Sequence, residues 1–320
     1  MLLYTVRRLL WILPVLFVAS VITFWLMHTA PGSPWNRERR VDPEVIAALN
    51  ERWGLDQPLP VQYLKWLGGV LRGDFGTSFN SSSEIPGVYH TDVAEEIGAA
   101  IGPSVTLGVL SLGLALAVGI GLGLVAAWHH NGWLDHVATG LGLLGMAGPP
   151  FLLAVLMQLV FDTHSLRDPG LLPVSGWDTP RHWVLPTLAL AALPMAMIMR
   201  FTRASVLEVI GEGYVRTAHS KGLTPRRVAL VHVMRNALIP VVAILGPVMA
   251  VLSTGSVVVE RVFQIPGAGN LYLTAITQRD YGVNMSMTLL YTVAIAGLNL
   301  VVDLFYGLID PRIREAQAFA

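Results

Sequence analysis

Long apolar runs alternate with shorter polar ones along this chain. A helix needs about 20 apolar residues to cross a hydrocarbon core roughly 30 Å thick. Residues 9–36, 97–134, 137–161, 182–199, 236–259 and 281–302 meet or approach that length, and none contains Asp, Glu, Lys or Arg. Six membrane-spanning helices are therefore expected, the second centred near 103–127. Within the third, Pro149 and Pro150 after Gly148 remove backbone donors and predict a kink or break. Gly119 and Gly123 in the second are spaced for close helix approach.

Two polar segments stand apart from this pattern. Residues 30–96 are punctuated by Pro and Gly, with a helical stretch near 42–53 and an aromatic-rich stretch over 63–79, and predict a small external subdomain. Residues 213–240 predict two short helices joined by a tight elbow. Gly222 follows the first helix where a left-handed cap wants glycine, and Thr224-Pro225 offers an N-cap hydroxyl and a first-turn proline for the second. Leu230, Val233, Met234, Ala237, Leu238 and Val241 then follow one helical face, so the second helix is expected to run unbroken into the fifth span. A docking surface for a soluble partner, levered on a membrane helix, is the expected use of such an elbow. The competing reading is a solvated basic loop that only fixes orientation.

Composition agrees with a bilayer. The chain is 53% hydrophobic and 13% charged, where soluble domains carry about 25% charge. The absence of Cys excludes disulfides, thiolate chemistry and sulfur-ligated zinc. Arg7 and Arg8 precede the first apolar run as in a secretory signal, but the run is too long and no small-residue cleavage site follows, which predicts a retained span. With the N-terminus inside, Arg7, Arg8, Arg200, Arg203, Arg216, Lys221, Arg226, Arg227, Arg235, Arg312 and Arg314 share one side, while the short outer loops hold Arg167, Arg181, Arg261 and Arg279. The positive-inside rule then puts both termini and the elbow in the cytoplasm, and the long 30–96 segment outside does not vote.

Other chemistry is sparse. Asp303 is flanked by apolar residues within a span, where carboxylates are functional suspects; pairing with Arg200 or Arg203 is the expected role. His129 and His130, beside Trp128 and Trp133, read as interfacial anchors, with no carboxylate cluster nearby in sequence to make a metal site. No catalytic, cofactor-binding or metal-ligating set is expected. The phosphate loop Gly-x-x-x-x-Gly-Lys-Ser/Thr is missing, so any ATP and Mg would be bound by other polypeptides. A self-contained secondary transporter or channel would show inverted halves or several intramembrane acids, and an intramembrane enzyme would show a nucleophile, base or metal ligands at workable spacing. Nucleic acid is not an expected partner.

The elbow sequence from Tyr214 to Gly222, continued by Arg235 to Pro240, resembles the cytoplasmic coupling motif of ABC importer permeases, specifically the first permease of dipeptide, oligopeptide and nickel uptake systems. The segments 54–63, 73–78, 172–176, 262–269 and 310–313 are similar to the same subfamily. Two departures stand out: Arg216, Thr217 and Ala218 occupy the positions where the wider superfamily has Glu-Ala-Ala, and the stretch 80–90 is longer than usual. The resemblance implies an all-α membrane protein with the six-helix type I ABC importer permease fold. It divides the chain into an N-terminal span (1–29), an external subdomain (30–96), a five-helix core (97–310) with coupling helices about 204–237, and a cytoplasmic tail (311–320). It implies a second homologous permease, two ATPase subunits, an extracytoplasmic substrate-binding protein and a bacterial or archaeal plasma membrane. Contacts to the ATPase would come from Arg216, Thr217, Ala218, Lys221, Gly222, Leu223, Pro225, Arg226 and Arg227. Di- or oligopeptides are the implied cargo, with nickel chelates and glutathione within the same group.

Overall fold

In a computed structural model of the chain, the described residues are 2–30, 35, 43–79, 92–161 and 172–309. Among them there are helices and turns and no strand. Leu2–Thr29, Val93–Trp128, Val184–Ile210 with the 3₁₀ turn Pro180–Trp183 before it, Leu245–Val262 and Tyr281–Ile309 are long and apolar enough to cross a membrane. The third predicted span is a bent pair of helices: Trp133–Met146 and Pro150–Phe161 meet at 102°. The break falls on Gly148-Pro149-Pro150, where prolines cannot donate the helical hydrogen bonds and clash with the preceding turn.

The described chain forms two compact units. One comprises Met1–Val6, Ser104–Ile265 and Gly297–Ala320, within the described residues. Its centre is the Val184–Ile210 helix, whose span is 61% buried against 31% for Leu245–Val262. Leu185, Ala189, Leu190 and Ile198 from that helix pack with Leu107, Ala115, Ala154, Val248, Leu252 and Phe263. Small residues set the spacing. A side-chain carbon on Gly119 would lie 2.8 Å from the Met195 carbonyl oxygen, one on Gly123 2.7 Å from that of Met199, and one on Gly145 2.8 Å from that of Ala192. Backbone therefore meets backbone on two sides of the central helix, the close approach that small residues permit in membranes.

The second unit comprises Arg7–Pro103 and Pro266–Ala296. Pro43–Trp53, Leu59–Val70 and Ala268–Gln278 are its short helices. Aromatic rings tie it together: Tyr63 stands edge-on to Phe24 with centroids 5.4 Å apart, Phe24 lies 4.1 Å from His28, and His28 lies 4.6 Å from Tyr281. The Ser20 and Tyr63 hydroxyls are 2.8 Å apart, and Gln62 donates to the Leu55 and Gln57 carbonyls. Ser78 donates to the buried Asp280 carboxylate at 2.6 Å, and that carboxylate accepts the Val283 N–H at the start of the last helix. The inserted stretch 80–90 lies outside the described residues, as do the tail 311–320 and Asp310.

Candidate coupling elbow

The Val184–Ile210 helix ends at Gly211, and Gly213–Ser220 begins after Glu212, whose extended backbone turns the chain. Val215 and Ala218 face inward at 2% and 5% exposure, whereas Arg216 and Thr217 face out. The helix closes as the glycine expectation required. Gly222 has φ +74°, its N–H donates to the His219 carbonyl at 2.9 Å, and the Leu223 N–H reaches back to the Ala218 carbonyl at 3.4 Å. These paired bonds are the Schellman closure, accompanied by the expected apolar contact of the following residue: Leu223 packs on the buried cluster beneath. A side chain on Gly222 would meet nothing within 4 Å, so substitution there is opposed by the left-handed backbone, at about 1–2 kcal/mol, and not by crowding.

Two expectations for the second helix are corrected. Thr224 is extended and Pro225 takes the first helical position, but the Thr224 hydroxyl makes no capping bond; its carbonyl accepts the Val228 N–H at 3.0 Å instead. The helix is also not continuous. Pro225–Arg227 passes into a π-helical turn, Val228–Val233, then Met234–Ala237, with further breaks at Leu238 and Ile244 before Leu245–Val262. A π turn takes in an extra residue and advances the phase of the helix. Val228, Val233, Ala237 and Val241 are thus the buried positions, spaced five, four and four, and Leu230 is left 68% exposed.

The elbow is seated on the first unit. Ala127, Val206, Val215, Ala218, Val228, Val233 and Ala237 form one buried cluster, with Leu124, Leu207 and Val209 against it. The two arms are joined by the Asn236 side-chain amide donating to the Tyr214 hydroxyl at 2.7 Å. What faces out is mixed: Arg216, Thr217, Lys221, Gly222, Pro225, Arg226, Arg227 and Arg235 are exposed, together with Leu230, Val231 and Tyr214. Exposed apolar residues rimmed by charge are the composition of an interaction surface. Tyr214→Phe removes only the acceptor for Asn236. An exposed neutral hydrogen bond is worth about 0.5–1.5 kcal/mol, so a thermal unfolding scan should show a loss no larger than that, with the elbow cluster intact.

Three charged positions complete the picture. Arg200 is exposed. Asp303 lies within the last helix, but its side chain falls outside the described residues. Arg203, one of the two cations expected beside Asp303, has its Nε and Nη2 donating to the two carboxylate oxygens of Asp135 at 2.6 and 2.7 Å. His130, read from sequence as an anchor, sits with its Nδ1 3.2 Å from Arg203 Nη2. Three buried acids escaped the sequence reading: Asp135, Asp280 and the fully buried Glu260, to which Ser104 donates at 2.7 Å. Each lies one or two residues beyond an uncharged run, at 137–161, 236–259 or 281–302, because a span bounded by its first charge leaves that charge outside. The signal available was proximity: Asp135 stands in the first turn after Trp133, where a helix N-terminus favours a carboxylate.

Comparison with known proteins is unambiguous about kinship. Residues 119–315 match the family described as "Binding-protein-dependent transport system inner membrane component", and residues 1–91 match its N-terminal companion. The dipeptide transport system permease protein DppB of Bacillus subtilis (strain 168) is 39% identical over 311 residues, 97% of either chain. The glutathione transport system permease protein GsiC of Escherichia coli (strain K12) is 38% identical over 316 residues, covering 98% of this chain and 99% of that one. A solved structure described as "Crystal structure of an amino acid ABC transporter with histidines" superposes with a TM-score of 0.51 at 15% identity, over 67% of this chain and 94% of its own. That likeness is one of fold, the type I ABC importer permease fold. The chain is a member of the binding-protein-dependent transport system inner membrane components: a multi-pass permease subunit of an ABC importer.

Proposed function

We propose that this chain is the non-catalytic half of a translocation pathway whose other half is a second, homologous permease, and that the 213–237 elbow seats on one of two ATPase subunits that bind ATP and Mg. The observation that carries the reading is the elbow itself: a Schellman-closed helix and a π-turned return arm, buried on one side and presenting Arg216, Lys221, Arg226 and Arg227 beside Leu230 and Val231 on the other. An orientation signal needs charge alone. This segment also has a shape, which a partner can read. The remaining elbow positions, Thr217, Ala218, Gly222, Leu223 and Pro225, set the closeness and angle of that contact.

In this arrangement both termini and the elbow face the cytoplasm of a bacterial or archaeal cell, and a substrate-binding protein delivers cargo from outside. Relatives named for dipeptide and glutathione transport favour a short peptide as the cargo. The test is purification of the tagged chain from its native membrane, followed by reconstitution. An ATPase should co-elute, and radiolabelled alanyl-alanine or glutathione should enter vesicles only with ATP and the binding protein. Uptake by the purified chain without an ATPase would overturn the reading.

A further inference from the structure

We propose that Asp135 and Arg203 form a transmission pin that makes the second span, the first half of the third span and the elbow-bearing helix move as one body, and that both are positioning residues for coupling. The inference rests on the coupling role proposed above for the elbow.

Arg203 stands seven residues before the end of the Val184–Ile210 helix, about 10 Å along its axis. Its guanidinium lies across Asp135 in a two-pronged pair, Nε to Oδ1 at 2.6 Å and Nη2 to Oδ2 at 2.7 Å. Such planar, two-bond pairing fixes direction as well as distance. The Asp135 side chain is only 4% exposed and that of Arg203 28%. A carboxylate so far out of water is costly to leave alone and strongly held when fully bonded.

The remaining bonding capacity of Asp135 is spent locally. Oδ2 also accepts the Asn131 N–H at 2.9 Å, and Oδ1 accepts the Thr139 hydroxyl at 3.4 Å. Asn131 has φ +61°, and the Gly132 N–H closes onto the His129 carbonyl at 2.7 Å. This is the tight turn by which Val93–Trp128 becomes Trp133–Met146. One carboxylate therefore ties the end of the second span, the start of the third and the helix that runs into the elbow.

Packing makes the same three elements a unit. Gly119 and Gly123 of the second span and Gly142 and Gly145 of the third press on Met195, Met199, Thr202, Ala192 and Ala196 of the central helix, in most places backbone against side chain or carbonyl without room for a side-chain carbon. Glycine contacts resist compression but not sliding, because they are non-directional. The pin is directional, and it lies at the elbow end of the seam, where Ala127 and Val206 join the elbow cluster. A displacement of the elbow is thereby delivered to two spans besides its own.

The experiment uses the complete transporter in vesicles, with the ATPase and binding protein that accompany the wild-type chain. One variant is D135N; the other is the double D135L/R203M, which replaces the pair by apolar side chains of similar bulk and avoids an isolated buried charge. Cysteines absent from the native chain are introduced by H136C and E208C, at exposed sites, for spin labels on the third span and the elbow-bearing helix. In the parent the label distance should stay constant between nucleotide-free and ATP-bound states. In D135L/R203M it should change between them, with ATP hydrolysis retained and alanyl-alanine or glutathione taken up per ATP falling about tenfold, within the usual range of coupling between sites. D135N should lower uptake per ATP in the same direction.

Wild-type uptake per ATP in the double variant, even with D135N impaired, would show that the pair only stabilises and would overturn the proposal. So would a label distance that already changes in the parent. An ATPase that failed to associate with the parent chain would instead strike at the coupling reading, a separate result.

Discussion

Gly123→Leu should leave no properly assembled permease, whereas Gly121→Leu on the same helix should be nearly silent. A side-chain carbon at 123 would fall 2.6 Å from Cβ of Thr202 and 2.7 Å from the Met199 carbonyl oxygen. Neither is the end of a flexible side chain, so the second span would have to move away from the central helix along its length. Overpacking a well-filled core costs about 1–3 kcal/mol even where neighbours can rotate aside, and backbone cannot, so a loss beyond that range is expected. At Gly121 a side chain meets nothing within 4 Å, and leucine gains roughly 0.5–1 kcal/mol of helix propensity over glycine. Thermal unfolding monitored by fluorescence-detected gel filtration separates the cases. Equal stability of the two variants would mean that this helix pair does not meet at Gly123.

Reversing Arg226 and Arg227 together, R226E/R227E, should detach the ATPase while leaving the spans inserted. Both are exposed at the tip of the elbow, two residues and one residue before the buried Val228 that anchors it, so their replacement does not touch the cluster beneath. In the proposed seat on the ATPase, where these arginines would meet acidic groups, two reversed charges exchange attraction for like-charge contact worth several kcal/mol. That corresponds to a loss of association of 100-fold or more, on the order of 1.4 kcal/mol per factor of ten. The arginine-to-lysine pair, R226K/R227K, separates charge from geometry: it should retain association if the contact is a simple field and lose it if planar two-bond recognition is needed. Co-elution of the ATPase at low and high salt is the measurement. An R226E/R227E chain that still carries its ATPase would remove these two residues from the contact.

Much of this chain was legible without coordinates because membrane architecture is written locally. The hydrocarbon core demands internally bonded helices of a set length, and the apolar runs supply them. The break at Gly148-Pro149-Pro150 and the left-handed closure at Gly222 follow from those residues' own backbone freedom, and the structure bears out both. The elbow's return arm was not legible. A strict 3.6-residue reading put Leu230 on the buried face, but the π turn over Val228–Val233 shifts the phase and exposes it. Nothing in the alternation of apolar residues there distinguishes the two periods. The burial of Val228 and Val233 together against Val206 and Val215 decides between them.

Charge pairing divides the same way. Asp303 was read as an acid in want of a cation, with Arg200 or Arg203 as its expected partners; the fold brings Arg203 to within 2.6 Å of Asp135, 68 residues away. Thus the sequence alone determined the apolar runs, the break in the third of them, the left-handed closure of the elbow and the charge asymmetry, since each depends on interactions within a turn or on transfer into lipid. Only the tertiary structure decided which helix is central, which glycines are contact points, which face of the return arm is hidden and which acid holds Arg203. Those properties belong to pairs of distant surfaces, and they exist only once backbone is packed on backbone.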